Sequence, residues 1–213
     1  MASPGRPRSF DVDTALDAAV DVFWRHGYEG AGLTELTEAM GIGRPSLYKA
    51  FGDKGQLFQR ALARYVDRNM GYVEDALAQP TASAVAEALL TGNALAVTDS
   101  LTPPGCLSVQ AMVTDEGDAF ELLRQNRTVI EQRLADRFRQ AVTDGDLGAD
   151  ESPDELASYL ITLTTGFAIR AADGATQQTL LTLVRRALAG FPRTPGAHRS
   201  VAAQAAPARK ASS

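Results

Sequence analysis

Two histidines, one cysteine and a short run of cations are the side chains whose types and spacing suggest chemistry. His26 and His198 lie far apart, and neither has a second ligand at metal-binding spacing. Cys106, in Pro104-Gly-Cys-Leu107 at an expected helix start, has no partner for a disulfide or a zinc site. A lowered thiol pKa there would make it a redox sensor; packing is the commoner role for such a cysteine. No glycine-rich phosphate loop, nucleophile elbow or metal-ligand spacing occurs, so neither an enzyme, a metal nor a cofactor is expected. The cations point elsewhere: Gly43 to Arg64 carries Arg44, Lys49, Lys54, Arg60 and Arg64 against Asp53 alone. Arginine suits guanine edges or phosphate, lysine suits phosphate, and the hydroxyls of Ser46 and Tyr48 suit either phosphate or base.

The overall charge restricts that chemistry to one place. A formal net charge of −5 and a pI near 5.1 exclude coating of nucleic acid by bulk electrostatics. Residues 1 to 54 hold six Lys/Arg against eight Asp/Glu, with four of the acids on the first expected helix. DNA contact must therefore come from one helix face. The single cysteine fits a reducing, cytoplasmic setting, and no apolar run is long enough for a signal peptide or a membrane span.

Positioning that face falls to helices. Apolar residues recur at three and four, without the alternation of strands, so an all-α fold is expected. The expected helices are 11–26, 33–40, 44–51, 53–76, 82–100, a short one after Gly105, 118–143, 153–172 and 176–190. Gly27 supplies a left-handed stop, and Asp53 with Gln56 reads as a capping box. Residues 32–51 meet the demands of a helix-turn-helix. Leu36, Met40, Ile42, Leu47 and Ala50 fall at the packing positions and Gly41 at the left-handed turn position, leaving Arg44, Ser46, Tyr48 and Lys49 outward.

The arrangement Phe23-Trp-Arg-His-Gly-Tyr-Glu-Gly30, Leu33-Thr-Glu-Leu36 and Met40-Gly-Ile-Gly-Arg-Pro-Ser-Leu-Tyr-Lys-Ala-Phe-Gly-Asp-Lys-Gly-Gln-Leu-Phe58 closely resembles the tetracycline-repressor (TetR) family over roughly residues 10–66. The resemblance implies an all-helical homodimer with an N-terminal three-helix DNA-binding domain and a larger C-terminal helical domain for ligand binding and dimerisation. It places Arg44, Pro45, Ser46, Tyr48 and Lys49 on a recognition helix, Thr34 at the preceding helix and Lys54 on a phosphate. Arg6 and Arg8 fall in an arm that enters the minor groove in some members. Two departures stand out: Ala31-Gly32 replaces the usual Thr/Ser pair, and Thr37 replaces a small alanine. A glycine cap keeps the fold and loses a phosphate contact.

The domains expected are a disordered arm (1–9), the helix-turn-helix domain (10–52), an effector and dimerisation domain (53–191) and a disordered basic tail (192–213). Residues 156–172 are apolar almost all round, and the last helix has a broad apolar face. The two should pair across a two-fold axis as a four-helix bundle through Leu160, Leu163, Thr164, Leu180, Leu183, Val184 and Ala187. An unknown small-molecule effector would be lined by Leu62, Tyr65, Val66, Asn93, Met112, Phe120, Leu123, Phe167 and Arg170. The partners expected are double-stranded DNA bearing an inverted repeat, a second copy of the chain and that effector, with no membrane. Repression is the family's commoner role. The rival reading is a scaffold of the same architecture that binds a protein in place of DNA, favoured by the acidic balance of the N-terminal domain.

Overall fold

Asp11 starts the first helix by accepting the Thr14 N–H at 2.7 Å. The computed structural model describes residues 10–110 and 118–192. Within them run α1 (Val12–Gly30), α2 (Leu33–Ala39), α3 (Arg44–Phe51), α4 (Lys54–Asn69), α5 (Gly71–Leu77), α6 (Ala82–Ala96), α7 (Leu107–Gln110), α8 (Asp118–Thr143), α9 (Pro153–Ala172) and α10 (Gln177–Ala189). There is no strand among the described residues, and no helix of theirs is long and apolar enough to cross a membrane.

One stripe of α1, with Ala15, Ala19, Phe23 and Trp24 buried, docks on α4. Aromatic edges fix the seat. Phe23 meets Phe58 at 5.0 Å and Trp24 meets Tyr65 at 4.8 Å, both T-shaped, while Tyr28 meets Phe58 at 5.1 Å. Gly27 leaves helical geometry with φ 68°, so Tyr28 to Gly30 form a separate turn after the expected stop.

The second and third helices close on Leu36, Met40, Leu47 and Phe51, all buried, with Ile42 and Ala50 half-buried beside them. Gly41 takes φ 65°, which a side-chain-bearing residue adopts only with strain; the turn is then locked by the Ile42 N–H on the Thr37 carbonyl at 3.0 Å. Thr37 is itself buried and turns its hydroxyl back onto the Leu33 and Thr34 carbonyls, each at 2.9 Å. That bond accommodates a hydroxyl where the family has alanine.

Both halves of the capping box at α4 form, with Gln56 N–H on Asp53 at 2.8 Å and Asp53 N–H on the Gln56 side chain at 3.2 Å. The helix does not run to Ala76 as expected; it stops at Asn69, and α5 begins at Gly71. Met70, at φ −113° and ψ 15°, breaks it. The apolar rhythm continues across the break through the buried Val73 and Ala76, which hides it from periodicity. α5 then folds against α6, where a Cβ on Gly92 would lie 2.6 Å from the Tyr72 Cβ. The sixth helix ends at Ala96, short of the expected Ser100. The eighth and ninth match their expected spans, and α9 opens on Ser152 capping Glu155 with Pro153 in the first turn.

Arg64 of α4 grips Asp17 of α1 through two bonds of 2.8 and 3.1 Å, and Arg68 joins the same carboxylate. Hydrogen bonding from Arg64, above all, holds the Asp17 carboxyl below its ordinary 3.8, against the opposing effect of partial burial. The pair therefore stabilises the fold above that pH, and its contribution disappears as the carboxylate takes up a proton in more acid solution. Asp17→Asn should lower the unfolding midpoint at pH 7, and the gap to the parent should narrow progressively as the pH falls below 3.8. Phe58→Ala should cost about 3–5 kcal/mol in denaturant unfolding, because Phe58 is 1% exposed and three aromatic rings, its own included, share that contact.

Candidate functional site

The outer face of α3 is where the cations gather. Arg44, Pro45, Tyr48 and Lys49 are exposed, Tyr48 at 49%, and Ser46 is half-buried, while Leu47 and Phe51 point into the core. Thr34 and Arg44, chosen from different helices, come together: the Arg44 guanidinium donates to the Thr34 hydroxyl at 2.9 Å. That bond spans the mouth between α2 and α3 and limits the arginine's rotamers. Lys54 rests its ammonium 4.5 Å from the Tyr28 ring centroid, at the base of the same face. Arg6 and Arg8 lie outside the described residues.

Arg60 contributes what sequence reasoning missed. Counted there only as a charge, it donates to the Ala50 carbonyl at 2.8 Å and lies over the Phe51 ring at 5.7 Å. It thus satisfies a carbonyl at the end of α3 that has no partner within the helix. A cation one helix downstream, spaced ten residues from the end of a short helix, was the available signal. Arg64, grouped with the cations by sequence, is instead committed to the acids of α1. His26 reaches Glu35 at 3.0 Å and ties α1 to α2.

A second site lies just past the end of α4, where Met70 and residues of α5 to α9 line a cavity of about 50 Å³. Its walls are Val73, Leu89, Val109, Ile130, Ile161 and Ala168, and its polar groups are Asn93, Cys106, Ser108, Asn126, Arg127 and the hydroxyls of Thr164 and Thr165. Of the residues expected to line an effector pocket, Asn93 is here. Tyr65 stands one layer back, its hydroxyl donating to the Cys106 Sγ at 3.2 Å. Burial pushes the Tyr65 and Tyr72 hydroxyls well above the ordinary tyrosine range, so both remain protonated; the Tyr65 hydroxyl donates to Cys106 and the Tyr72 hydroxyl accepts from Asn93 Nδ2. Leu62, Leu123 and Phe167 are buried elsewhere in the core, Val66 and Phe120 are half-buried outside the lining, and Arg170 is exposed. Met112 lies outside the described residues. Arg127, Asn126 and Ser108 were missed because two elements far apart in sequence, α7 and α8, must meet before they share a wall.

The residues expected at a dimer interface divide. Leu160, Leu180 and Val184 are consumed by the chain's own core, Leu163 and Ala187 are half-buried, Leu183 is 41% exposed and Thr164 faces the cavity. On α9, Tyr159, Thr162, Gly166 and Ile169 follow helical spacing along one face, with Tyr159 and Ile169 left 42% and 46% exposed.

The family model for bacterial regulatory proteins of the tetR family matches residues 15–61. The HTH-type transcriptional repressor ComR of Escherichia coli K12 is 33% identical over 196 residues, covering 89% of this chain and 93% of its own. The repressor AcnR of Corynebacterium glutamicum is 29% identical over 169 residues, covering 78% of this chain and 84% of its own. Among solved structures, a cysteine mutant of the TetR-family regulator CifR, complexed with 26-bp double-strand operator DNA, superposes with a TM-score of 0.84 at 41% identity. It covers 88% of this chain and all of that one. With an exposed cationic third helix behind a glycine turn and this likeness along nearly the whole length, the chain belongs to the TetR family of bacterial regulatory proteins and is a DNA-binding transcriptional regulator.

Proposed function

We propose that this regulator is a ligand-responsive repressor that binds an inverted-repeat operator as a cytoplasmic homodimer. The observation that carries the reading is the position of α4. Near its N-terminal end Arg60 holds α3, and just past its C-terminal end Met70 enters the cavity. A ligand in the cavity bears on the Met70 break, and any tilt of α4 is passed to α3 through the Arg60 bond. Release of DNA then requires that the ligand bind the free dimer more tightly than the operator-bound one. On α3, Arg44 and Tyr48 serve base edges or phosphate, with Ser46, Lys49 and Lys54 on phosphates and Thr34 and Pro45 shaping the entry. The names of ComR and AcnR as repressors, and of CifR as a partner of operator DNA, support the same reading.

The uncovered face of α9 and the exposed Leu183 of α10 supply the apolar surface for a second copy. Two-fold symmetry then sets two copies of α3 roughly 34 Å apart, one turn of DNA.

Fluorescence anisotropy on the tightest duplex recovered from sheared genomic DNA tests the contacts. Arg44→Ala should cost about 1–3 kcal/mol and relax preference at one base position. Lys49→Ala should weaken all sequences alike and reduce the slope of log affinity against log salt by about 1. Leu183→Glu should convert the dimer to monomer on sizing with light scattering, with helical circular dichroism retained; an intact dimer would remove α10 from the interface.

A further inference from the structure

The cavity beyond α4 holds an unusual concentration of unsatisfied polar atoms. Of four buried side-chain N/O atoms without a hydrogen-bond partner among the described residues, three belong to its lining: Asn93 Oδ1, Ser108 Oγ and Asn126 Nδ2. Asn93 and Ser108 are 4% and 3% exposed, so water outside the fold does not relieve them. Each such group is costly when left unpaired, and three in one lining are poor core chemistry. Turning the Asn93 amide does not help, because its other end is already on the Tyr72 hydroxyl at 3.0 Å.

Arg127 gives the cavity its charge. Its guanidinium donates to the Ser108 carbonyl at 3.0 Å, and no carboxylate of the described residues pairs with it. Arg64, Arg124, Arg133 and Arg139 each face an acid. Burial drives the guanidinium's pKa down, the mark of a cation short of compensation. Of its five N–H groups one is used among the described residues, and the fork geometry of the remainder suits a carboxylate. One cation in the lining calls for one negative charge. The cavity has room for about four water molecules, or a ligand of about five or six heavy atoms, and its walls are otherwise aliphatic.

We infer that the effector site takes a small aliphatic monocarboxylate bearing a hydroxyl or N–H group. The carboxylate sits on Arg127 with the Asn126 amide and the Ser108 hydroxyl, and the second polar group donates to Asn93. This rests on the ligand-responsive reading above and narrows it to a chemical class.

Calorimetric titration of the full-length dimer with matched acids and primary amides tests it: lactate against lactamide, glycolate against glycolamide, and propionate as the acid lacking a donor. The acids should saturate one site per chain, and the amides should bind at least about tenfold more weakly. Arg127→Gln should cost the acids at least about tenfold and leave the amides unchanged. Asn126→Asp, which sets a negative charge beside the carboxylate, should abolish acid binding alone and serves if the first variant fails to fold. Asn93→Ala should weaken lactate more than propionate. Equal binding of acid and amide, or indifference to both charge variants, would overturn the assignment. So would absence of acid binding up to about 10 mM, or release of operator by a neutral occupant of this cavity. Acid binding that leaves the operator complex intact would uphold the site and contradict the ligand-responsive reading.

Discussion

Phe58 and Tyr65, two turns apart on α4, are each met edge-on by an aromatic of α1, and the rest of the molecule is arranged about that seam. It joins α1, the longest described helix of the DNA-binding head, to the helix that leads into the C-terminal domain. Above it, Leu47 and Phe51 bring α3 onto the same core, and Arg60 pins the end of α3 to α4. Below it, Tyr65 passes directly to Cys106, and Met70 opens the cavity. Because close-packed interiors deform poorly, the proposed switch requires α1 to α4 to move as one body about the helical break at Met70.

The electrostatics follow from the same seam. The chain is acidic, yet the first helix's Asp13 and Asp17 are spent on Arg64, with Arg68 sharing Asp17, so those acids are neutralised on a flank away from α3. What remains uncovered on α3 is Arg44 and Lys49 with Tyr48 between them. A weak global attraction joined to a local cationic face favours contacts that read a site over contacts that coat a duplex. Two of the acids behind the acidic balance that favoured a protein partner in the sequence, Asp13 and Asp17, are thus paired with cations of α4.

Local chemistry made much of this legible. The caps at Asp53 and Ser152, the turn at Gly41, the stop at Gly27 and the inward set Leu36, Met40, Leu47 and Phe51 depend on neighbours within a few residues, where sequence carries the signal. The break at Met70 escaped because apolar spacing continues through it. Arg60 escaped because its partner is a carbonyl, which has no residue type. The cavity was the least legible feature: Asn93 was found, but Ser108, Asn126 and Arg127 acquire their meaning only when α6, α7 and α8 meet. Leu160, Leu180 and Val184 show the converse limit, since periodicity cannot tell a face covered by the chain's own core from one left for a second copy.

The central claim is that two copies of α3, fixed through α4, read DNA symmetrically. Selection of bound duplexes from a random double-stranded pool by the purified protein tests it most directly. The account requires enrichment of an inverted repeat whose half-site centres lie roughly one helical turn, about 10 bp, apart. Recovery of a single unpaired half-site, or no enrichment at low salt from a folded dimer, would contradict it.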